Sequence, residues 1–322
     1  VLLPKWFYFH LDKVSAWSRT MIMPLSIVTT YRPVRQLPEP MGIMELYADH
    51  DYLHRPFVGF DKKLMSWKNL FLGADKLLKV YHRVKLVNGF LRKPAVKRIE
   101  KWILERAHRE HADGLGAIFP PMVYIIIAFR CLGYDDQDEH VREAWDQLDR
   151  LMIEDGDEIR LQPCFSPVWD SGIALYALAE AGYRAGSNDK MRNAVQWLVD
   201  KECREVAGDW KNNVGRHVEP SGWYFEFNNA YYPDVDDTAM VAMGLHCAAN
   251  GAAPHASEAA KRGVDWILEM QNEDGGWAAF DRTINRPILE YVPFADHNAI
   301  QDPSCPDITG RTLECLGHLG YT

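Results

Sequence analysis

Arg262-Gly-Val-Asp-Trp266-Ile-Leu-Glu-Met-Gln271-Asn-Glu-Asp-Gly275-Gly-Trp277 reads as an amphipathic, Trp-bearing helix that ends in a Gly-rich turn. Two earlier segments repeat its plan. Lys97-Arg-Ile-Glu-Lys-Trp102-Ile-Leu-Glu precedes Asp113-Gly-Leu115-Gly, and Ala194-Val-Gln-Trp197-Leu-Val-Asp precedes Gly208-Asp-Trp210. A second kind of segment starts at Pro or Asp and ends at Gly. Its copies run from Pro120-Pro-Met to Leu-Gly133-Tyr134, from Ser166-Pro-Val-Trp169 to Ala-Gly182-Tyr183, from Asp234-Val-Asp-Asp to Asn250-Gly251, and from Asp307-Ile-Thr to Leu-Gly320-Tyr321. Ser166, Asp234 and Asp307 are expected N-caps, since their side-chain oxygens accept free first-turn N–H groups. Pro167 stands where a missing N–H costs nothing, and the closing glycines suit a left-handed C-cap. Those glycines stand 49, 69 and 69 residues apart. Such an inexact two-helix repeat predicts an all-α array, either a solenoid or a closed α/α barrel. The segment Gly172-Ile-Ala-Leu-Tyr-Ala-Leu-Ala-Glu-Ala is expected inside and buried on most faces, with the charged, Trp-bearing helices outside.

Composition narrows the function. At about 150 residues per domain, 322 residues predict two domains. A net charge of −9 argues against a nucleic-acid partner, which needs a basic face for phosphates. Six dispersed cysteines form no CxxC pair, so reduced thiols are expected rather than a disulfide framework or a zinc site. Aromatic residues make up 12% of the chain, which fits either a helical core or a cavity walled by rings. The longest apolar run, Met122 to Phe129, is well short of the ~20 residues of a spanning helix and reads as a buried helix. The acidic runs Asp135-Asp-Gln-Asp-Glu and Glu154-Asp-Gly-Asp-Glu158 lack calcium-loop spacing and read as solvated. The pairs His50/His54 and His108/His111 have helical spacing without a third ligand. The chain begins at Val1 and stops abruptly after Gly320-Tyr321, so it reads as an internal piece of a longer protein with no visible leader.

The chemistry concentrates in Tyr231-Tyr-Pro-Asp234-Val-Asp236-Asp237-Thr-Ala-Met240. One or two first-turn carboxylates would serve the helix dipole. Three repel one another, and at least one is pushed to hold its proton. That keeps a carboxylic acid available as a donor near neutral pH. A magnesium–diphosphate site of DDxxD type would need an acid where Met240 stands, so that reading fails. The neighbours are aromatic instead: Trp223-Tyr-Phe225-Glu-Phe227 and Tyr231-Tyr232. An acid among ring faces points to an apolar substrate with cationic intermediates, which π faces stabilise without trapping.

Together, Asp234-Val-Asp-Asp-Thr-Ala239, the Gln271…Gly275-Gly-Trp277 segment and Ser166-Pro-Val-Trp169-Asp170 resemble the squalene-hopene cyclase family of triterpene cyclases, over essentially the whole chain. Gln271 to Trp277 matches the family's repeated QW motif, while the copies near Trp197–Trp210 and Trp102–Leu115 are degenerate. The resemblance implies two α/α barrels, each partly covered, with the substrate cavity between them. Residues 1–164 would belong to an inserted barrel and residues 165–322 would open the second. It implies an isomerase-class enzyme that cyclises squalene to hopene- or hopanol-type products, with no metal or organic cofactor. Asp236 resembles the proton donor, Asp234 and Asp237 its anionic supports, and Arg311 the cation beside it, where some members have His. For Arg311 the other reading is a salt bridge to Asp307 on the same helix face. Trp17, Trp169, Asp170, Phe225 and Phe280 resemble substrate-cavity residues, Phe280 standing where the family often has Tyr. Trp197, Trp210, Trp266 and Trp277 are read as structural. The implied setting is a monotopic attachment to the cytoplasmic face of a membrane, with a homodimer as the assembly. The rival readings are a class II diterpene cyclase acting on geranylgeranyl diphosphate and a non-catalytic helical scaffold.

Overall fold

A computed structural model describes residues 1–8, 10–38, 41–42, 44–48, 58–83, 91–206, 208–214, 217–282, 286–293 and 300–321. His50 and His54 lie outside the described residues. The first half carries α1 (Ala16–Tyr31), α2 (Trp67–Arg83), α3 (Arg92–Ala107), α4 (Phe119–Leu132) and α5 (Glu139–Asp149). A two-stranded antiparallel hairpin follows, β1 (Met152–Asp155) with β2 (Glu158–Leu161), and Asp155 faces Glu158 across its turn. The acidic run at 154–158 is thus the exposed tip of a hairpin that the sequence pattern did not reveal. The second half is helical: α6 (Pro167–Glu180), α7 (Asp189–Asp200), α8 (Val235–Ala249), α9 (Pro254–Glu269) and α10 (Pro306–His318). Among the described residues the chain is all-α apart from this hairpin.

The expected alternation holds in the second half. The helices α6, α8 and α10 form one layer with α8 in the middle, and α7 and α9 pack behind them. Small residues let the layer close up. A Cβ on Gly172 would stand 3.0 Å from Val241, and one on Gly244 would stand 3.0 Å from the Gly172 carbonyl. The helix α8 is buried on nearly every side. The prediction was too strong for α6, which is buried only along Val168, Gly172, Leu175 and Ala179. Its other side exposes Ile173 and Leu178, because α7 and α8 cover one face only.

The caps are mostly as expected. Asp234 accepts the Asp237 N–H at 2.7 Å, and Gly133 and Gly182 take positive φ at the ends of α4 and α6. Two expectations fail. Ser166 flanks α6 without a capping bond and instead donates to Asp170. Asp307 lies inside α10, and Cys305 holds the flanking position, donating its thiol to Asp307.

The tryptophans of the repeat are architectural. Trp277 donates its ring N–H to the Ile267 carbonyl at the end of α9 (2.8 Å), and Gln271 donates to the Gly275 carbonyl in the turn (2.9 Å). Trp210 meets Trp266 edge-on at 5.7 Å, and both are fully buried. The run Met122 to Phe129 lies in α4, whose buried side faces α1 and α5.

A buried ionic network joins the halves. Arg19 of α1, 2% exposed, lies 3.5 Å from Asp209 and 3.8 Å from Asp281. Arg106 of α3 grips Asp209 through two N–H groups, at 3.1 and 2.5 Å. Beside this, backbone bonds from Asp113 to Asn228 and from Ala230 to His111 seat the loop after Trp223 on the first half.

Candidate active site

The acid turn is built by a hairpin-like loop from Trp223 to Asp234. The two ends pair, with the Asp234 N–H donating to the Trp223 carbonyl at 3.0 Å. Thr238 ties the loop to α8 by accepting from the Trp223 N–H and donating to the Asp234 carbonyl. This places Asp234 as the N-cap and puts Asp236 and Asp237 in the first turn. Helical geometry then separates the three carboxyls. Asp234 and Asp237 turn inward and are 4% and 2% exposed. The Asp236 side chain, 26% exposed, faces α10.

Arg311 of α10 donates to Asp236 Oδ1. The alternative pairing with Asp307, one turn back, is not the one formed; Asp307 is exposed and bonded to the Cys305 thiol. The Arg311 guanidinium also lies over the Trp169 ring, 5.1 Å from its centroid. Trp169 in turn faces Phe225, with ring centroids 6.4 Å apart at 31°. Acid, cation and two ring faces therefore form one contiguous cluster drawn from α6, the hairpin loop, α8 and α10.

Trp17 and Phe280 form a second aromatic element, stacked at 5.4 Å and 12°. Both are pinned through the backbone. Asp281 accepts the Ala16 N–H, next to Trp17. Asp302 accepts the N–H groups of Ala279, Phe280 and Asp281. The Val235 N–H donates to the Ala279 carbonyl at 2.8 Å, so the acid turn and the Phe280 segment are joined directly. Asp170 stands apart: it is exposed, bonded to Ser166, and no ring contact or hydrogen bond among the described residues links it to the acid cluster.

Burial raises the pKa of every member of the Asp234–Asp237 group. For Asp236 burial outweighs the opposing bond and charge of Arg311, and the net direction is upward. Asp234 is pushed up to about 6 by burial, with a bond from Asp237 opposing. Asp237 rises well above the carboxylate range through burial and the Asp234 charge. All three carboxyls are thus shifted toward their protonated forms. Arg311 favours the ionised form of Asp236, and burial opposes it.

Several residues that sequence reasoning placed beside the acid serve the frame instead. Trp223 is buried and donates to the Leu198 carbonyl at the end of α7. Tyr232 donates to Asp209, and Tyr231 lies under the Arg106 guanidinium. Of the rings quoted upstream of Asp234, only Phe225 makes a ring contact with Trp169 among the described residues. Sequence reasoning missed Asp281, Asp302 and Glu226. Glu226 is the sharpest omission. It is 4% exposed, accepts from Asn229 at 3.1 Å, and is pushed up to about 8 by burial. Its signal was a lone acid between Phe225 and Phe227.

The chain also matches known proteins along its length. Residues 1–157 match the family model described as the squalene-hopene cyclase N-terminal domain, and residues 165–322 match that of the C-terminal domain. The whole chain is 37% identical over 332 residues to a squalene-hopene cyclase of Schizosaccharomyces japonicus, covering 48% of that protein. It is 38% identical over 329 residues to one from Bradyrhizobium diazoefficiens, again with all of this chain and 48% of the relative covered. A dammaradiene synthase of Dryopteris crassirhizoma is 34% identical over 323 residues, with 99% of this chain and 45% of that protein covered. The chain thus spans about half the length of the curated relatives it matches. With both domain models matched in order along nearly all of its length, the chain belongs to the squalene-hopene cyclase family.

Proposed function

We propose that the protein carrying this chain cyclises squalene to hopene- or hopanol-type triterpenes by protonating a terminal double bond. The observation that carries this reading is the cluster in which Asp236 meets Arg311 on one side while Trp169 and Phe225 stand alongside. The Asp236 O–H bond breaks, its proton adds to the terminal alkene carbon, and the alkene pair forms the new C–H bond. The tertiary cation is drawn into ring closure by the next double bond. Each later cation is held by ring faces, which supply negative potential and no nucleophile. Loss of a proton to water, or addition of water, ends the sequence. Residues 1–164 would contribute one partial α/α barrel and residues 165–322 the start of the other.

Delivery of such an apolar substrate calls for a lipid surface, and α2 supplies a candidate. Trp67, Leu70, Leu77 and Leu78 fall at helical spacing and are exposed. Lys68, Lys76 and Lys79 lie on the same helix. An apolar stripe beside lysines suits a helix lying in an anionic interface. A cavity of about 940 Å³ adjoins it, lined by Phe60, Leu64, Met65, Trp67, Leu70 and Tyr291. No described helix is long and apolar enough to cross a membrane.

The test is to incubate the whole protein with squalene and with geranylgeranyl diphosphate in parallel and identify products by mass spectrometry. Pentacyclic triterpenes from squalene, lost in Asp236→Asn, support the reading. Conversion of the diphosphate alone overturns it.

A further inference from the structure

Arg311 reaches Asp236 from α10 across the head of α8, through one N–H group of a guanidinium on a flexible stem. A single bond to one carboxyl oxygen fixes a separation and leaves the plane of the guanidinium free to turn. Asp307 does not restrain it, being bonded to the Cys305 thiol. The Trp169 ring does, with its centroid 5.1 Å from the guanidinium carbon. The cation is thus held from two sides, by Asp236 of α8 and by Trp169 of α6.

The spacing of these helices is set elsewhere. Trp169 and Tyr176 stand two turns apart on α6, and so do Arg311 and His318 on α10. Each pair meets across α8. At the far end the Tyr176 hydroxyl donates to Glu314 at 3.4 Å and shares a hydrogen bond with His318 Nε2 at 3.1 Å, and its ring meets the imidazole edge-on. This second clasp joins α6 to α10 without Trp169. The contact at the acid end therefore has a task other than holding the layer together.

That task follows from charge. A ring attracts a cation through the quadrupole of its face, and a permanent cation already lies on Trp169. A substrate cation on the same ring would meet the repulsion of the guanidinium. Phe225, 6.4 Å from Trp169, has no such neighbour among the described residues. We propose that Trp169 is the seat of the acid's cation and not a ring offered to the substrate: it holds the Arg311 guanidinium against Asp236 and leaves Phe225 to face the carbocation formed there. Sequence resemblance placed Trp169 among the substrate-cavity residues; a guanidinium from position 311 gives its face another occupant. Trp169 acts through Arg311 and is a positioning residue.

The inference rests on Asp236 being the donor, so the test has one arm that needs no turnover. The charged groups around Asp236 are Arg311 and Asp307 of α10 and Asp234 and Asp237 of its own turn, while Asp170 of α6 is bonded to Ser166. Arg311 favours ionised Asp236, so loosening it moves the titration of Asp236 to higher pH. Infrared spectroscopy of the whole protein follows the C=O stretch of protonated Asp236, identified by its loss in Asp236→Asn. Trp169→Leu moves the midpoint upward by at least about half the shift of Arg311→Gln. The double variant titrates as Arg311→Gln does, because the ring then has nothing to seat. Trp169→Phe keeps a smaller π face and moves the midpoint less than Trp169→Leu. An unmoved midpoint in Trp169→Leu, or a double variant shifted by the sum of the two, overturns the inference, whatever the substrate. With squalene, Trp169→Leu moves the pH–rate midpoint upward and keeps the native product profile. Products released part-way through cyclisation, at an unmoved midpoint, overturn the inference. If the native protein leaves squalene untouched, the squalene reading fails and the titration arm alone decides what Trp169 seats.

Discussion

The Arg311 guanidinium bonds Asp236 across 75 residues of sequence and rests at the same time on the Trp169 ring. One cation therefore sets both the strength of the acid and the position of an aromatic wall. Arg311→Gln removes the charge that opposes burial at Asp236, so the Asp236 pKa rises. In the proposed reaction Asp236 must carry a proton, so the rate falls as pH rises through its pKa. In Arg311→Gln the midpoint of the fall moves to higher pH, while the low-pH plateau drops by about tenfold or more as the acid weakens. A pH–rate profile with squalene checks both shifts; a midpoint that moves down contradicts the assignment.

Asp209 carries the junction of the halves. It accepts from Arg106 and Tyr232 and lies beside the buried Arg19. Asp209→Asn takes from Arg106 its buried counter-ion and leaves Arg19 with Asp281 alone, and breaking a buried pair on one side costs about 3–5 kcal/mol. Urea unfolding of the two proteins, compared at equal m-value, measures the loss.

Asp281 makes stability depend on pH. Burial raises it to about 6, from an ordinary value of 3.8, against the pull of Arg19. The folded state thus binds this proton more tightly than the unfolded chain, so its contribution is full below about pH 4 and is lost as pH rises through 6. Relative to Asp281→Asn, the native protein accordingly loses about 2.5 kcal/mol of stability between pH 4 and pH 7. Thermal unfolding at a series of pH values follows it.

Gly263 has no room for a methyl group. A Cβ there would stand 2.7 Å from the Trp223 ring and 3.2 Å from Thr238, both buried behind the acid turn. Overpacking of this kind costs about 1–3 kcal/mol. Gly263→Ala lowers the midpoint of chemical unfolding, and it lowers the rate with squalene because the displaced ring pushes on Thr238.

Leu77 and Leu78 are exposed on α2. Replacing both by Glu removes two apolar anchors, each worth about 1.5–3 kcal/mol when buried. Flotation with anionic vesicles then recovers at least about tenfold less protein, while the circular dichroism spectrum stays as it was.

The acid turn was legible in the sequence because its physics is local: three carboxyls after a proline, at the head of an apolar helix, must cap and must share protons. The glycine-closed helices were legible for the same reason. The partner of Asp236 was not local. Arg311 lies on α10, where Asp307 one turn back competed for it on paper, and family resemblance singled it out. Arg19, Asp209 and Asp281 were invisible, since a charge on an amphipathic helix or in a loop reads as solvated until another half of the molecule covers it. Trp223 and Tyr232 misled for the converse reason. Rings next to an acid in sequence were read as its surroundings in space, yet their polar tips satisfy Leu198 and Asp209.

The three N–H groups that Asp302 collects from Ala279, Phe280 and Asp281 fix the main chain under Phe280 from behind. None of these bonds involves the ring. The wall at this position therefore stands on a foundation that is indifferent to which side chain it bears. If the proposed cavity includes Phe280, a hydroxyl gained or an aromatic ring lost there changes what the substrate meets without moving the main chain. Under the proposed function, position 280 is a place where lineages, or engineers, would vary the product while the fold stays constant.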